Sequence, residues 1–344
     1  MTQLLLNAKN FFFQFTYNVG LYRIIKSINN IGNKRLTVVT YHRVTDRKIE
    51  QIDGSLRNLF VNVETFERQI LFFKKNYRVI SPEGLCGLID NDEFSPDLIL
   101  ITFDDGYMDF YQYAYPVLKK HGIPVTLFIV PGKIGNTGGF SFWWDEMFYY
   151  MTCMKKREIN GSPCPMPPDI SKLFVQFNID MKIMFDRIMD TYSDSEIQCI
   201  LEKTKNCLGD EADIRAEWNS MLTWQNIGEI SDLVEIGSHT MRHRNMKYLS
   251  ENDLHQEIHQ SKREIEEKTK KRVLAFSYPN GFYNSEIVRH VRDAGYRLAF
   301  TTEKGINDLR NLYHMKRINL WERTSSVHTK PFSEGKLALK MIGL

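Results

Sequence analysis

The chain has 344 residues, with 45 Lys and Arg against 42 Asp and Glu and a formal net charge of +3. Hydrophobic residues make up 42% of it and charged residues of both signs 25%, which excludes collagen-like, low-complexity and wholly disordered chains. The weak net charge predicts no nucleic-acid partner. Five cysteines without a Cys-x-x-Cys pair predict neither a disulfide framework nor a zinc knuckle. The length fits two domains or one α/β barrel with insertions.

Residues 1–33 predict an amphipathic helical segment. Apolar side chains such as Leu4, Phe12 and Ile24 alternate with polar and basic ones, so the segment can pack on the domain or lie on a membrane surface. It has no basic leader, no small-residue cleavage site and no uninterrupted apolar run, so neither a signal peptide nor a spanning helix is predicted. We therefore expect a cytoplasmic protein, in solution or at the inner membrane face.

From Leu36 onward, short apolar runs alternate with helical patterns, as in chains that build parallel sheets. The runs at 98–103 and 125–130 are apolar almost throughout, which is typical of parallel strands buried on both faces. Seven or eight such strands favour a barrel over an open sheet. The predicted strands are Leu36–Thr40, Arg78–Ile80, Leu98–Phe103, Val125–Val130, Leu233–Gly237, Val273–Tyr278, Leu298–Thr302 and Arg317–Leu320.

Helical patterns lie between most of these strands, at Val63–Asn76, Pro82–Asp90, Asp109–His121, Glu251–Lys270 and Ser285–Ala294. The stretch Gly138–Asn226 breaks the alternation with an aromatic cluster, a proline-rich turn and further helical patterns. We predict one domain over residues 34–344, in which a helical insertion at 138–226 interrupts the strand-helix units.

Two acids follow a buried strand in the segment Thr102-Phe103-Asp104-Asp105-Gly106-Tyr107. Active-site groups gather at the carboxyl ends of strands in parallel α/β folds. Adjacent carboxylates repel each other unless one binds a cation and the other exchanges protons. The alternative is that one aspartate caps the helix that begins near Asp109.

Two more strand ends carry candidate residues. His239 and His243 form a His-x-x-x-His pair, and imidazole is a common zinc ligand. With one aspartate from another strand end, they would form a mixed N/O set that leaves positions open for water and substrate. The third segment, Phe276–Gly281, ends in a Pro-x-Gly turn that can present a backbone N–H to an oxyanion or be a plain turn.

These three segments, in this order, resemble the polysaccharide deacetylases, the NodB-homology domain of carbohydrate esterase family 4. The family signature is Thr-Phe-Asp-Asp-Gly, then His-(Ser/Thr)-x-x-His, then Arg-x-Pro-x-Gly. The first two match in full as Thr102–Gly106 and His239–His243, and the third only as Pro279-x-Gly281. Softer similarity covers Val39–Val44 and Gly295–Thr302.

The resemblance implies a distorted (β/α) barrel of the NodB-homology type and metal-dependent removal of an acetyl group from a sugar. By motif position, Asp105, His239 and His243 would hold the metal, and Asp104 would be the general base. The backbone N–H of Asn280 would stabilise the oxyanion. The implied ion is zinc foremost, with cobalt, nickel or manganese as alternatives.

The chain departs from the family pattern at two catalytic positions. Ser277 stands where the family has an arginine that pairs with the catalytic aspartate, and Arg317 is our first candidate for its substitute, with Arg242 second. The family's general acid is a histidine in a Leu-x-His segment. His314 fits those letters but precedes the last strand, and His42, at the first strand end, is an equal candidate.

Three aromatic residues are candidates for substrate contacts, because flat rings stack on pyranose faces. They are Tyr107, in the acidic motif, and Trp143 and Trp144, in the insertion, where core packing is the competing interpretation. His255 and His259 flank the apolar stripe of their helix in a pattern unlike the zincin motif, and we interpret them as solvated helix residues.

We therefore expect a metal-dependent hydrolase that removes an N-acetyl, or alternatively an O-acetyl, group from an amino sugar in a polysaccharide or glycan precursor. One alternative is hydrolysis of another acyl or formyl amide, on a lipid-linked or nucleotide-linked sugar or on a non-sugar substrate. Another is a catalytically silent glycan-binding barrel, which Ser277 leaves open. The sequence assigns no glycan, linkage or oligomeric state.

Overall fold

The structure, a computed structural model, describes residues 35–49, 52, 57–95, 97–136, 138–159, 181–209, 219–326 and 332–343. Before residue 35 it describes residues 13, 15–20, 22 and 24. Most of the predicted amphipathic segment at 1–33 therefore lies outside the described residues.

The described strands pair in parallel with their neighbours, as the alternation of strands and helices predicts. They are β1 (Leu36–Tyr41), β2 (Arg43–Thr45), β3 (Phe60–Asn62), β4 (Arg78–Val79), β5 (Leu98–Phe103), β6 (Val125–Ile129), β7 (Val234–Ser238), β8 (Ala275–Ser277), β9 (Leu298–Phe300) and β10 (Ile318–Asn319). Eight of them form one curled sheet in the order β10-β1-β5-β6-β7-β8-β9, with β4 also paired to β5. Strands β2 and β3, which form a separate pair, were not predicted from the sequence.

Strand β5 is the point at which the sheet departs from a regular barrel. One edge of β5 pairs with β1 along its whole length, whereas the other edge pairs with β4 at its beginning and with β6 at its end. At the far side of the sheet, the Met315 N–H donates to Ala299 O, and the Thr301 N–H donates to Met315 O. These bonds bring β9 beside the segment that leads into β10, and the sheet closes on itself.

Helices cover the outside of the sheet. In the described residues they are α1 (Val63–Asn76), α2 (Pro82–Asp90), α3 (Tyr115–His121), α4 (Trp143–Ile159), α5 (Met181–Thr191), α6 (Asp194–Leu208), α7 (Trp224–Glu229), α8 (Glu251–His255), α9 (Ser261–Thr269), α10 (Ser285–Asp293), α11 (Glu322–Ser325) and α12 (Glu334–Met341). A π turn, Phe110–Ala114, precedes α3, and another, Gln256–Gln260, joins α8 to α9.

Two helix starts show how local sequence sets these boundaries. The Asn62 side chain accepts the Glu64 N–H at the start of α1. At the start of α2, the Ser81 side chain accepts the Gly84 N–H, and Pro82 occupies the first turn, where a missing N–H costs nothing. Both helices have the bounds predicted from the sequence.

The described part of the predicted insertion is helical. Helices α4, α5 and α6 pack around a shared apolar core that includes Phe148, Ile188 and Leu201. Residues 160–180 and 210–218 of the insertion lie outside the described residues. Cys207, in α6, is disulfide-bonded, a single bond that the spacing of the cysteines in the sequence did not indicate.

The described residues of the N-terminal segment contact the barrel near α1. The Tyr22 hydroxyl lies 2.8 Å from that of Tyr77, and the Tyr17 ring centroid lies 6.1 Å from that of Phe72. Phe15 and Ile24 are about half exposed, and membrane contact through this segment stays a prediction. Among the described residues, no helix has the length and apolar character needed to cross a membrane.

Gly237, in β7, tests how tightly the barrel interior is packed. A Cβ there would lie 2.4 Å from Phe128 Cδ1 and 3.1 Å from Ala275 O. We expect Gly237→Ala to lower the free energy of unfolding by about 1–3 kcal/mol, as overpacked cores do, measured by urea denaturation. Gly228→Ala is the matched control, because a Cβ at Gly228 would meet nothing within 4 Å. Equal midpoints for the two variants would contradict this account of the core.

Candidate active site

The candidate site lies where the carboxyl ends of neighbouring parallel strands meet. Asp104 and Asp105 directly follow β5, and His239 directly follows β7. Ser277 is the last residue of β8, which pairs with β7. The sheet order therefore brings together three segments that are far apart in the sequence.

Asp105, His239 and His243 converge on one point. Asp105 Oδ1 lies 3.6 Å from His239 Nε2 and 3.7 Å from His243 Nε2. One ligand atom from each residue lies within 4.8 Å of the other two, and all three side chains are buried. The structure thus brings the three predicted metal ligands together as two imidazole nitrogens and one carboxylate oxygen.

The protonation states of these groups fit a bound dication. Burial lowers the pKa of both His239 and His243, which favours the neutral imidazoles that bind metals. Burial, together with the charges of Asp104 and Asp145, raises the pKa of Asp105, so a nearby cation is needed to keep it ionised. His239 Nδ1 lies 2.7 Å from Ser277 O, so Nδ1 carries the proton and Nε2 presents its lone pair.

Aromatic side chains of the insertion pack against His243. The ring centroids of Phe142 and Trp144 lie 5.5 Å and 4.8 Å from that of His243. Trp144 is only 3% exposed, and its Nε1 donates to the Tyr107 hydroxyl at 3.3 Å. The insertion therefore contacts the site at the strand ends.

This packing corrects two of the predicted substrate contacts. Tyr107 is 1% exposed, and its hydroxyl donates to Asp145 Oδ2 at 2.6 Å. Neither Tyr107 nor Trp144 has an open ring face for a sugar, because both belong to the core that supports His243. Trp143 is half-buried and stacks on Phe185 with ring centroids 5.2 Å apart, so its contact with substrate stays a prediction.

The Asp104 carboxylate forms a bidentate ion pair with Arg317. Arg317 Nη1 donates to Asp104 Oδ1 at 2.8 Å, and Nη2 donates to Oδ2 at 2.7 Å. Both side chains are almost completely buried. The first choice of a substitute for the family's arginine is thereby confirmed.

The remaining donors of Arg317 are also paired. Nε donates to Thr301 O at 2.9 Å, Nη1 to Thr40 Oγ1 at 3.1 Å, and Nη2 to Ser277 Oγ at 3.0 Å. Ser277, at the position where the family has arginine, therefore contacts the arginine that directly precedes β10. The second choice, Arg242, is exposed, and its Nη1 lies 3.7 Å from the Glu257 carboxylate.

The Arg317 guanidinium determines the charge of Asp104. Burial alone would raise the pKa of this carboxyl, but the charge and the hydrogen bonds of Arg317 outweigh burial and hold the pKa well below its usual range. Asp104 is therefore ionised at every pH at which the protein is expected to work, as a general base must be.

The two predicted general acids differ in their placement. His42 Nε2 lies 3.8 Å from Asp104 Oδ2, and burial lowers the pKa of His42 to about 4. His314 lies in the turn before β10, where its ring packs against that of Tyr283 with centroids 4.3 Å apart. Of the two candidates, the geometry favours His42.

Several loop residues at the site have left-handed backbone conformations. Asp105, Thr240, His243 and Asn280 have φ between 56° and 78°. Such conformations cost free energy for residues other than glycine and persist where the surroundings impose them, often at functional sites. Asn280 is half-buried, and its Nδ2 has no hydrogen-bond partner. The oxyanion role of the Asn280 N–H stays a prediction.

A second buried arginine, Arg43, was not predicted from the sequence. Its Nε donates to Asp109 Oδ2 at 2.6 Å, its Nη1 donates to Asn219 Oδ1 at 2.8 Å, and its Cζ lies 3.9 Å from the Tyr107 ring centroid. The charge of Arg43 also favours ionised Asp105. Its position beside His42 in the family-like opening segment is the one signal that could have identified it.

A buried carboxylate, Glu257, supports the histidine loop and was also missed. Glu257 Oε2 accepts the Arg242 N–H at 2.8 Å, and Glu257 O accepts the Met241 N–H at 2.9 Å. Glu257 lies in the π turn Gln256–Gln260, where the helix widens toward the loop. The sequence contains no signal for a π turn, so this contact could not be predicted.

Comparisons with known proteins agree with this architecture. A family model described as polysaccharide deacetylase matches residues 91–173 and 187–299, which is more than half of the chain. The Bacillus subtilis polysaccharide deacetylase YxkH is 36% identical over 104 residues, covering 30% of this chain and 34% of that protein. A Staphylococcus aureus poly-beta-1,6-N-acetyl-D-glucosamine N-deacetylase is 28% identical over 131 residues, covering 35% of this chain and 41% of that protein. The chain thus spans well under half the length of these relatives.

Solved structures share the fold. The Streptococcus pyogenes deacetylase PplD in complex with acetate has a TM-score of 0.58 at 18% identity, covering 90% of this chain and 99% of that one. IcaB from Ammonifex degensii has a TM-score of 0.57 at 18% identity, covering 90% and 97%. At this identity the likeness shows the fold alone, and it confirms the predicted barrel.

Replacing one partner of the Asp104–Arg317 pair should lower the free energy of unfolding more than replacing both partners. Arg317→Met leaves a buried carboxylate unpaired, and we expect the free energy of unfolding at pH 7 to fall by about 3–5 kcal/mol. The double variant Asp104→Leu, Arg317→Met has no unpaired charge and should recover most of that loss. Urea denaturation of the two variants measures the difference. Equal losses would mean that the ion pair is not the origin of the cost.

Proposed function

The chain belongs to the polysaccharide deacetylase family, and we propose that it hydrolyses the N-acetyl group of an amino sugar in a polysaccharide or glycan precursor. The observation that carries the proposal is the convergence of Asp105, His239 and His243 beside the ionised, arginine-paired Asp104. This set offers a metal site next to a general base, which amide hydrolysis needs. The name of the Staphylococcus aureus relative, which specifies N-acetylglucosamine, supports an acetylated glucosamine polymer as the first substrate to test.

Asp105, His239 and His243 would hold a divalent ion, for which zinc is our first choice because two imidazoles and one carboxylate suit it. When bound, such an ion polarises the acetyl carbonyl and acidifies the attacking water. Cobalt, nickel and manganese stay alternatives. We also retain the Asn280 N–H as the proposed oxyanion donor.

The proton transfers can be assigned to this chain's own residues. Asp104 accepts a proton from the attacking water as the C–O bond forms. The distance of 3.8 Å between Asp104 Oδ2 and His42 Nε2 supports transfer of that proton to a neutral imidazole. His42 can accept it and then donate to the sugar nitrogen as the C–N bond breaks, releasing acetate and the free amine.

The compartment is still a proposal. The sequence predicts a cytoplasmic protein or one at the inner membrane face, where the substrate would be a glycan under assembly.

Amine release from acetylated sugars, with and without a chelator, tests the proposed function. We expect release from N-acetylglucosamine oligomers that a chelator abolishes and that added Zn²⁺ or Co²⁺ restores. Asp104→Asn should keep the ion but lower the rate by about 10²–10⁴, because it removes the base. Amine release from formylated or otherwise acylated amines, but not from acetylated sugars, would indicate the alternative amide substrate. Glycan binding without hydrolysis under every condition would indicate a silent barrel.

The general acid can be identified with substrates that differ in their leaving group. We expect His42→Ala to lower hydrolysis of an N-acetyl sugar by about 10²–10⁴, because the amine must be protonated to leave. The same variant should hydrolyse an activated aryl acetate at nearly the wild-type rate, because that leaving group needs no proton. His314→Ala is the matched control and should leave both rates nearly unchanged. The opposite pattern would assign the acid to His314.

A further inference from the structure

Two neighbouring helices carry glutamate and histidine at four-residue spacing. Glu251 and His255 lie in α8, His259 follows in the π turn, and Glu286 and His290 lie in α10. Residues four apart share one face of a helix. The His255 and His259 rings stack with centroids 4.3 Å apart, and the His259 and His290 centroids lie 5.9 Å apart. The side chains therefore form one cluster between the two helices.

Three of these residues have the geometry of a metal site. One carboxylate oxygen from Glu251, one from Glu286 and one ring nitrogen of His290 all lie within 4.8 Å of one another. The two glutamates are exposed, whereas His290 is only 5% exposed. His290 Nε2 is buried and has no hydrogen-bond partner. A buried polar nitrogen without a partner is costly, so this imidazole is a better ligand than an ordinary surface histidine.

We propose that Glu251, Glu286 and His290 bind a second divalent transition-metal ion, of the class of Zn²⁺, Co²⁺ and Ni²⁺, on the outer helical layer of the barrel. Imidazole together with carboxylate favours this class, whereas Mg²⁺ and Ca²⁺ favour sites built from oxygen alone. The stacked His259 places a further imidazole beside His290. The site shares no residue with the strand-end site.

The ion would link the first turn of α8 to α10. Glu251 is the first residue of α8, and Glu286 is the second residue of α10. Arg289 Nη2 now donates to Glu251 Oε1 at 2.8 Å. This ion pair is exposed, and exposed pairs are weak, so a dication can replace the guanidinium at that carboxylate. A ligand that binds only the folded chain stabilises it, so binding should raise the melting temperature.

The test uses the full chain with the strand-end site disabled. In the His239→Ala, His243→Ala variant, we expect titration calorimetry with Zn²⁺ to find one ion per chain and a higher melting temperature in its presence. Adding Glu286→Gln should weaken that binding by about tenfold or more, since loss of even an outer partner of a metal ligand costs 10–100-fold. Glu267→Gln, at an exposed position on α9, is the matched control and should change neither quantity.

Competition by excess Mg²⁺ should have no effect on Zn²⁺ binding in the disabled variant. If that variant fails to fold, the same comparison is made in the wild-type chain, where Glu286→Gln should lower the stoichiometry from two ions to one while hydrolysis persists. Absence of Zn²⁺ binding in the folded disabled variant, or binding that Glu286→Gln leaves unchanged, would overturn the second site. Neither result would bear on the proposed deacetylation, whose readout is amine release.

Discussion

The buried ion pair between Arg317 and Asp104 is the interaction on which the rest of the site depends. Arg317 directly precedes β10, the strand at which the sheet closes, and its guanidinium also donates to Thr40, Thr301 and Ser277. Thr40 lies in β1, Ser277 is the last residue of β8, and Thr301 directly follows β9. The Arg317 side chain therefore links the closure of the barrel to the negative charge of Asp104, the proposed base. Since a lone buried charge is costly, the closed barrel and the ionised carboxylate stabilise each other.

The same pair separates the roles of two adjacent carboxylates. Asp104 and Asp105 are both buried, yet the pKa of Asp104 is held low, whereas that of Asp105 is raised. The difference arises because Arg317 contacts Asp104 directly, while Asp105 faces two imidazoles that burial keeps neutral. Environments that push the pKa values of neighbouring acids apart are a usual way to assign different tasks to chemically identical side chains. Asp104 and Asp105 are adjacent in one loop. The difference between their environments therefore comes from the topology of the sheet, which brings different strand ends to the two side chains.

Much of this arrangement could be predicted from the sequence, and the reasons for the failures are physical. The bounds of α1 and α2 follow from local caps, and β5 follows from a continuous apolar run. Strands β2 and β3 have three residues each and form a pair apart from the main sheet, so the alternation of strands and helices does not indicate them. The aromatic cluster of the insertion correctly indicated that this segment contacts the site. The sequence does not show, however, whether an aromatic ring is exposed enough to stack on a sugar or is buried, as Trp144 is. The contact of Arg317 with Asp104 spans 213 positions, and it was predictable only because the family pattern showed that a partner was missing.

The π turn Gln256–Gln260 has a consequence for how this chain tolerates changes in length. A π turn contains one residue more than an α-helical turn, and the extra residue lets Glu257 and Ile258, which are adjacent, both face inward and be fully buried. Deletion of one residue there would return the helix to a regular phase and leave α9 on the sheet with little rearrangement. The deletion would instead affect the histidine loop, because the N–H groups of Met241 and Arg242 would lose their acceptors on Glu257. An indel that looks harmless in a helix on the outside of the barrel thus changes the support of the strand-end site.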